Sequence, residues 1–144
     1  MQNITLNNGV EIPILGFGVY QIAPKDTKSA VLNAIKAGYR HFDTAQSYAN
    51  EKEVGEAIRE SGIDRKEFFI TSKVWLSNYG YDKAYASVLE SLDKMKLDYL
   101  DLCCPTNLLV TIMVPTVLWK NFTKKENFER LVCLISIQIV SATL

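Results

Sequence analysis

The stretch that decides the fold runs from Gly38 to Gly55 and reads GYRHFDTAQSYANEKEVG. Gly38 closes a helical pattern at a position that favours a left-handed residue. Tyr39 to Phe42 read as a short buried strand. Asp43 stands at the C-terminal end of that strand, Tyr48 follows on the loop, and Glu51 opens the next helix. A carboxylate at the C-terminal end of a strand, in a chain that alternates strand and helix, is the usual place for a reacting group in a parallel α/β barrel.

Outward from this stretch, the same alternation continues. Asn3 to Leu6 and Glu11 to Ile12 flank Asn7-Asn8-Gly9, a hairpin signal in which Asn and Gly supply positive φ. Ile14 to Val19 reads as the first barrel strand, with Gly16 and Gly18 allowing close approach. A helix from Pro24 to about Ala37 places Ala30, Val31, Ala34 and Ile35 on one face. A second, from Glu51 to Glu60, buries Val54, Ala57 and Ile58 and ends at Gly62. Phe68 to Lys73 is a buried strand. A third helix begins near Asn78, with Tyr85, Val88, Leu89, Leu92 and Met95 at helical spacing, and Tyr99 to Leu102 reads as a fourth strand. This order predicts a parallel sheet with right-handed crossovers.

Composition bounds the function. The chain has 144 residues, zero net charge and three cysteines. One domain fits that length, whereas a full (β/α)8 barrel takes about 250 residues. Neutral charge argues against a nucleic-acid or membrane partner. Met-Gln-Asn-Ile opens no secretory signal, and no apolar run is long enough for a membrane span. Cys103, Cys104 and Cys133 suggest no disulfide framework, so a cytoplasmic setting is expected. Adjacent Cys103 and Cys104, with no histidine nearby, argue against zinc, and no metal site is expected. Lys120, Lys124 and Lys125 read as a solvated cluster rather than a nucleic-acid footprint.

The central stretch resembles the aldo-keto reductase family. Gly38, Tyr39, Arg40, His41, Phe42, Asp43, Thr44, Ala45, Glu51, Val54 and Gly55 stand in register with the family's first signature. Asn7-Asn8-Gly9, Pro13 to Gly18 and Ile70 to Trp75 also look like it. The resemblance covers residues 1 to about 102. It implies a truncated (β/α)8 TIM barrel: the N-terminal hairpin, then about four strands and three helices.

What the resemblance implies chemically is reduction of a small-molecule aldehyde or ketone with NADPH, in which a tyrosine gives the proton. By match to the family's motifs, Tyr48 is the donor, Lys73 the cation that favours its ionised form, and Asp43 the group that holds the lysine. Asp43 is also expected near the nicotinamide ribose. A cofactor contact is implied at Val19 and Tyr20, with valine where the family often has threonine. Trp75 is expected as a pocket wall. The histidine that orients the carbonyl in the family is missing, since the sole histidine, His41, falls on a variable signature position. Taken singly, Asp43 would read as a helix cap, Tyr48 as one of seven tyrosines and Lys73 as a solvated strand end. The signature, the offset from Asp43 to Tyr48 and the Thr-Ser-Lys-Val-Trp setting favour the chemical reading.

Beyond residue 102 the character changes. Gly80 is the last glycine, all three cysteines lie in the tail, and LLVTIMVPTVLW keeps neither a strand nor a helix period. Turn glycines and helix caps are missing. Leu118 to Ser136 can be back-translated and read two bases on to give MEELYKEGKFRAIGVSNF, which looks like the family's next helix, strand and loop. The same shift over Pro105 to Leu108 permits His-Gln-Pro. Residues 103–144 are therefore expected to be an irregular, out-of-frame tail, and this chain a truncated, inactive form that binds NADPH poorly. The alternative is a non-enzymatic half-barrel remnant with no function of its own. A small binding module has no positive support.

Overall fold

In the computed structural model, which describes residues 2–6 and 9–106, a two-stranded hairpin precedes a four-stranded parallel sheet. Strands β1 (Asn3–Thr5) and β2 (Glu11–Pro13) pair antiparallel. Gly9 has φ +84°, the left-handed conformation a tight turn asks of glycine; its neighbours Asn7 and Asn8 lie outside the described residues. The sheet takes its strands in chain order: β3 (Gly16–Gly18), β4 (His41–Asp43), β5 (Phe69–Val74) and β6 (Leu102–Pro105). Helices α1 (Pro24–Lys36), α2 (Glu51–Glu60) and α3 (Tyr81–Met95) make the three crossovers and lie side by side. This is the opening half of a (β/α)8 barrel.

The hairpin strands start where the sequence reading put them, and each strand of the parallel sheet starts one to three residues later. Tyr39 N–H bonds back to Ala34 O, and the Arg40 guanidinium donates to Ile35 O and Tyr39 O. Those two residues therefore finish α1, and the ladder begins at His41. Phe68 N–H closes a turn on Arg65 O, so β5 begins at Phe69. The last strand forms at Leu102–Pro105 rather than Tyr99–Leu102. Asp101 stands at its start, where its carboxylate accepts from Ile70 N–H and from Arg65 at 2.6 Å. Cys103 and Cys104, read from sequence as tail, are ladder residues opposite Ser72 and Lys73. The tail from residue 107 lies outside the described residues.

Between sheet and helices sits one core, with Phe42, Ile70 and Val74 from the strands against Val31, Val54, Ile58, Val88 and Met95. Helix α3 starts at Tyr81, later than the sequence suggests, because Leu76–Asn78 form a separate 3-10 turn and Gly80, at φ +114°, breaks the path. Its buried face also differs. Leu89 is exposed, while Ser87 and Ser91 are buried among Ala84, Val88, Leu92 and Met95. Hydrophobic periodicity misses those two serines because polar partners, not apolar ones, hold them.

Candidate active site

Alternation along the strands sorts the side chains by face. Phe42, Ile70 and Val74 turn to the helices, as does Ser72, whose hydroxyl meets Glu51 on α2. Asp43, Thr71 and Lys73 turn to the other face, at the C-terminal ends of β4 and β5. Asp43 pairs with Thr71 in the ladder, so Lys73 sits two residues further along and reaches back over it.

The Lys73 ammonium has three donors and places each one. Asp43 Oδ2 accepts at 2.5 Å, Thr44 O at 3.2 Å and Tyr48 Oη at 3.3 Å. The lysine and aspartate side chains are 21% and 33% exposed, so the group is sheltered yet reachable from solvent. The Tyr48 ring lies 5.0 Å from the ammonium and 5.0 Å from the Tyr20 ring. The arrangement sets a cation beside the phenol and a carboxylate beside the cation.

A polar clamp fixes the loop that carries Tyr48. Gln46 donates to Ser87 O and Ser91 Oγ, and its Oε1 accepts from Trp75 N–H and Asn78. Asn50 is fully buried; it donates to Val19 O and Ile22 O and accepts from Thr44 Oγ1. Glu51, also buried, accepts from Ser72 Oγ at 2.6 Å and Ser91 Oγ at 3.2 Å. Burial raises its pKa, against the two hydroxyl bonds that lower it. Sequence reasoning placed Glu51 in a signature without giving it a task and passed over Gln46 and Asn50, because a hydrogen-bonding clamp has no periodicity to detect.

The other expected residues divide. Tyr20 is 64% exposed beside Tyr48, and Trp75, 40% exposed, follows the end of β5. The Val19 side chain, by contrast, is buried in the core, and its backbone meets the site, the N–H donating to Asp43 O and the carbonyl accepting from Asn50. Among the described residues no group of three or more His, Cys, Asp or Glu could hold a metal ion. Nor is any described helix long and apolar enough to cross a membrane. Cys104 stands opposite Lys73, and burial pushes its thiol up to about 11. It therefore stays protonated near neutral pH.

His41 lies two residues before Asp43 on β4, on the same face. Its Nε2 is 3.1 Å from Thr71 Oγ1, and a Cβ on Gly16 would sit 2.8 Å from its Nδ1. Burial, the largest influence, holds its pKa below the ordinary 6.5, outweighing the Pro13 carbonyl and Asp43, which raise it. As pH falls below about 6.5 the unfolded chain takes up the proton first, so stability is lost from there down through the folded value. Glu51, with its raised pKa, acts in the opposite sense: stability falls as pH rises through its folded value. The drop in Tm between pH 7 and pH 5 is accordingly expected to be smaller in a His41→Asn variant. Equal drops in the two proteins would contradict this account of His41.

The chain is thus a parallel α/β half-barrel in which a lysine bridges a carboxylate and a phenol at the strand ends. The comparisons make the class specific. The profile of the aldo/keto reductase family matches residues 14–104, and the chain belongs to that family. Morphine 6-dehydrogenase of Pseudomonas putida is 52% identical over 99 residues, which are 69% of this chain and 33% of that protein. NADP-dependent D-sorbitol-6-phosphate dehydrogenase of Malus domestica is 42% identical over 106 residues, 71% of this chain and 34% of that one. Among solved structures, an aldo/keto reductase from Brucella melitensis superposes with a TM-score of 0.78 at 41% identity, covering 90% of this chain and 51% of that chain. The chain thus spans about a third of the length of the curated relatives it matches.

Proposed function

We propose that this chain carries the proton-donating half of an NADPH-dependent carbonyl reductase site, with Tyr48 as donor. The observation that carries the proposal is the position of the Lys73 ammonium, 2.5 Å from Asp43 and 3.3 Å from Tyr48. Tyr48 gives its hydroxyl proton to the oxygen of a bound aldehyde or ketone. Lys73 stabilises the negative charge that develops on the phenol oxygen, and Asp43 holds the lysine pointed at it. When bound, the cofactor supplies the hydride that completes reduction to the alcohol.

The donor set fits one end of that cofactor. Asp43 offers a partly exposed carboxylate to a ribose hydroxyl, and Tyr20 and Trp75 offer exposed aromatic surface. The Lys73 donors are already committed to Asp43, Thr44 and Tyr48. The phosphates would have to be gripped by other residues. We propose accordingly that residues 1–102 are the family portion and 103–144 an out-of-frame tail, and that the 144 residues alone bind NADPH poorly and turn nothing over. The family match supports the first boundary to within two residues, ending at 104.

Nicotinamide fluorescence tests the binding part. Titrating NADPH with this chain is expected to leave the emission unchanged, whereas protein from the same gene with its frame restored after codon 102 alters it. A saturable change with the short chain would overturn the claim of weak binding.

A further inference from the structure

The spacing between Tyr48 and Lys73 needs a cause, since one lies on a loop and the other on a strand. On the face of β5 that bears Lys73, the ammonium contacts Asp43, Thr44 and Tyr48, while the loop is also held to the strand by Thr44 N–H on Thr71 O and beyond its end by Trp75 N–H on Gln46 Oε1. On the opposite face, the residue before Lys73 makes a further link. Ser72 Oγ donates at 2.6 Å to Glu51 Oε1, and Glu51 begins α2 directly after the Tyr48 loop. The other carboxylate oxygen accepts from Ser91 Oγ on α3, the same hydroxyl that Gln46 reaches from the near end of the loop. Glu51 is 3% exposed, and none of the ion pairs among the described residues includes it. Burying a carboxylate without an ion pair costs stability. The cluster of Glu51, Ser72, Ser91 and Gln46 offsets that cost with three hydrogen bonds that join the Tyr48 loop, β5, α2 and α3.

We propose that Glu51 is the positioning residue of this site. By tying the exit of the Tyr48 loop to Ser72, it sets the reach between the Tyr48 phenol and the Lys73 ammonium. The proposal rests on the roles given above to Tyr48 and Lys73. It predicts graded behaviour. Glutamine keeps the reach and can hold both hydroxyls, accepting from one and donating to the other. Aspartate keeps the charge but is one methylene short. Alanine removes the tie, and Ser72→Ala removes it from the strand side with almost no change in volume.

The test is the proton cross-relaxation between the Lys73 side chain and the Tyr48 ring in the full 144-residue chain. The signal is assigned by its loss in Tyr48→Phe and Lys73→Met. Glu51→Ala, Glu51→Asp and Ser72→Ala are each expected to lose most of the cross-peak, and Glu51→Gln to keep it. Val54→Ala, a core truncation on the same helix, is expected to lower Tm and leave the cross-peak intact. If Glu51→Ala does not fold, the aspartate and serine variants decide. Full intensity in the aspartate and Ser72→Ala variants would overturn the proposal, as would equal loss in Val54→Ala, which would reduce Glu51 to a general stabiliser. A parent chain with no cross-peak would instead remove the assignment of Tyr48 and Lys73, and this proposal with it.

Discussion

Replacing Gly55 with alanine is expected to destabilise the chain, although alanine is the better helix former. Gly55 lies inside α2, where exchanging glycine for alanine in an open helix gains about 1 kcal/mol. Here the helix is not open. A Cβ at Gly55 would fall 2.5 Å from Met95 Cα and 2.6 Å from its carbonyl carbon, with the oxygen closer still. These are backbone atoms at the end of α3, and Arg59, one helical turn along α2, donates to the same Met95 carbonyl. Lys96 then turns away at φ +53°. Relief requires the two helices to separate, which opens the core at Val54, Ile58, Val88 and Met95. Overpacking of this kind costs about 1–3 kcal/mol and more when backbone must move. Gly55→Val, larger and branched, is expected to abolish the cooperative transition, since a whole domain is worth only about 5–15 kcal/mol. Urea unfolding measures both. A Gly55→Ala midpoint above that of the parent would contradict the close approach.

Lys73→Met is expected to lower turnover of the frame-restored protein on the order of 100-fold or more, the usual worth of a positioned acid–base group. Methionine fills similar space but removes the charge from between Asp43 and Tyr48. The phenol then gives up its proton without a stabilising cation, and Asp43 loses the partner that holds it. Lys73→Arg keeps the charge and is expected not to rescue. The lysine end meets three oxygens at 2.5, 3.2 and 3.3 Å from a single nitrogen. A planar guanidinium spreads its donors over a fork and cannot reproduce that convergence. Full activity in the arginine variant would show that charge alone, not placement, is what the site needs.

How much of this was legible follows from which force shapes each part. The helices were readable because Val31, Ala34, Ile35, Val54, Ala57 and Ile58 repeat at helical spacing and glycines mark their ends. Strand starts in the parallel sheet slipped by one to three residues because Tyr39, Arg40, Phe68 and Asp101 are committed to side-chain and turn hydrogen bonds that carry no periodic signature. The exposed face of α3 was misassigned at Leu89 for a related reason: Ser87 and Ser91 are buried by a polar cluster. The residues of the candidate site were found through a motif, yet the motif gave no hint that Val19 is turned into the core. Gln46 and Asn50 make the loop rigid through contacts with residues far along the chain, a relation visible only once the strands and helices are placed.

The most direct measurement is NADPH oxidation with a generic aldehyde, run on three proteins: this chain, the frame-restored protein, and the frame-restored protein carrying Tyr48→Phe. The account predicts turnover in the second, a loss on the order of 100-fold or more in the third, and no turnover in the first. Turnover by the 144-residue chain within tenfold of the restored protein would contradict the reading of the tail, and undiminished turnover in the restored Tyr48→Phe protein would contradict the role given to Tyr48.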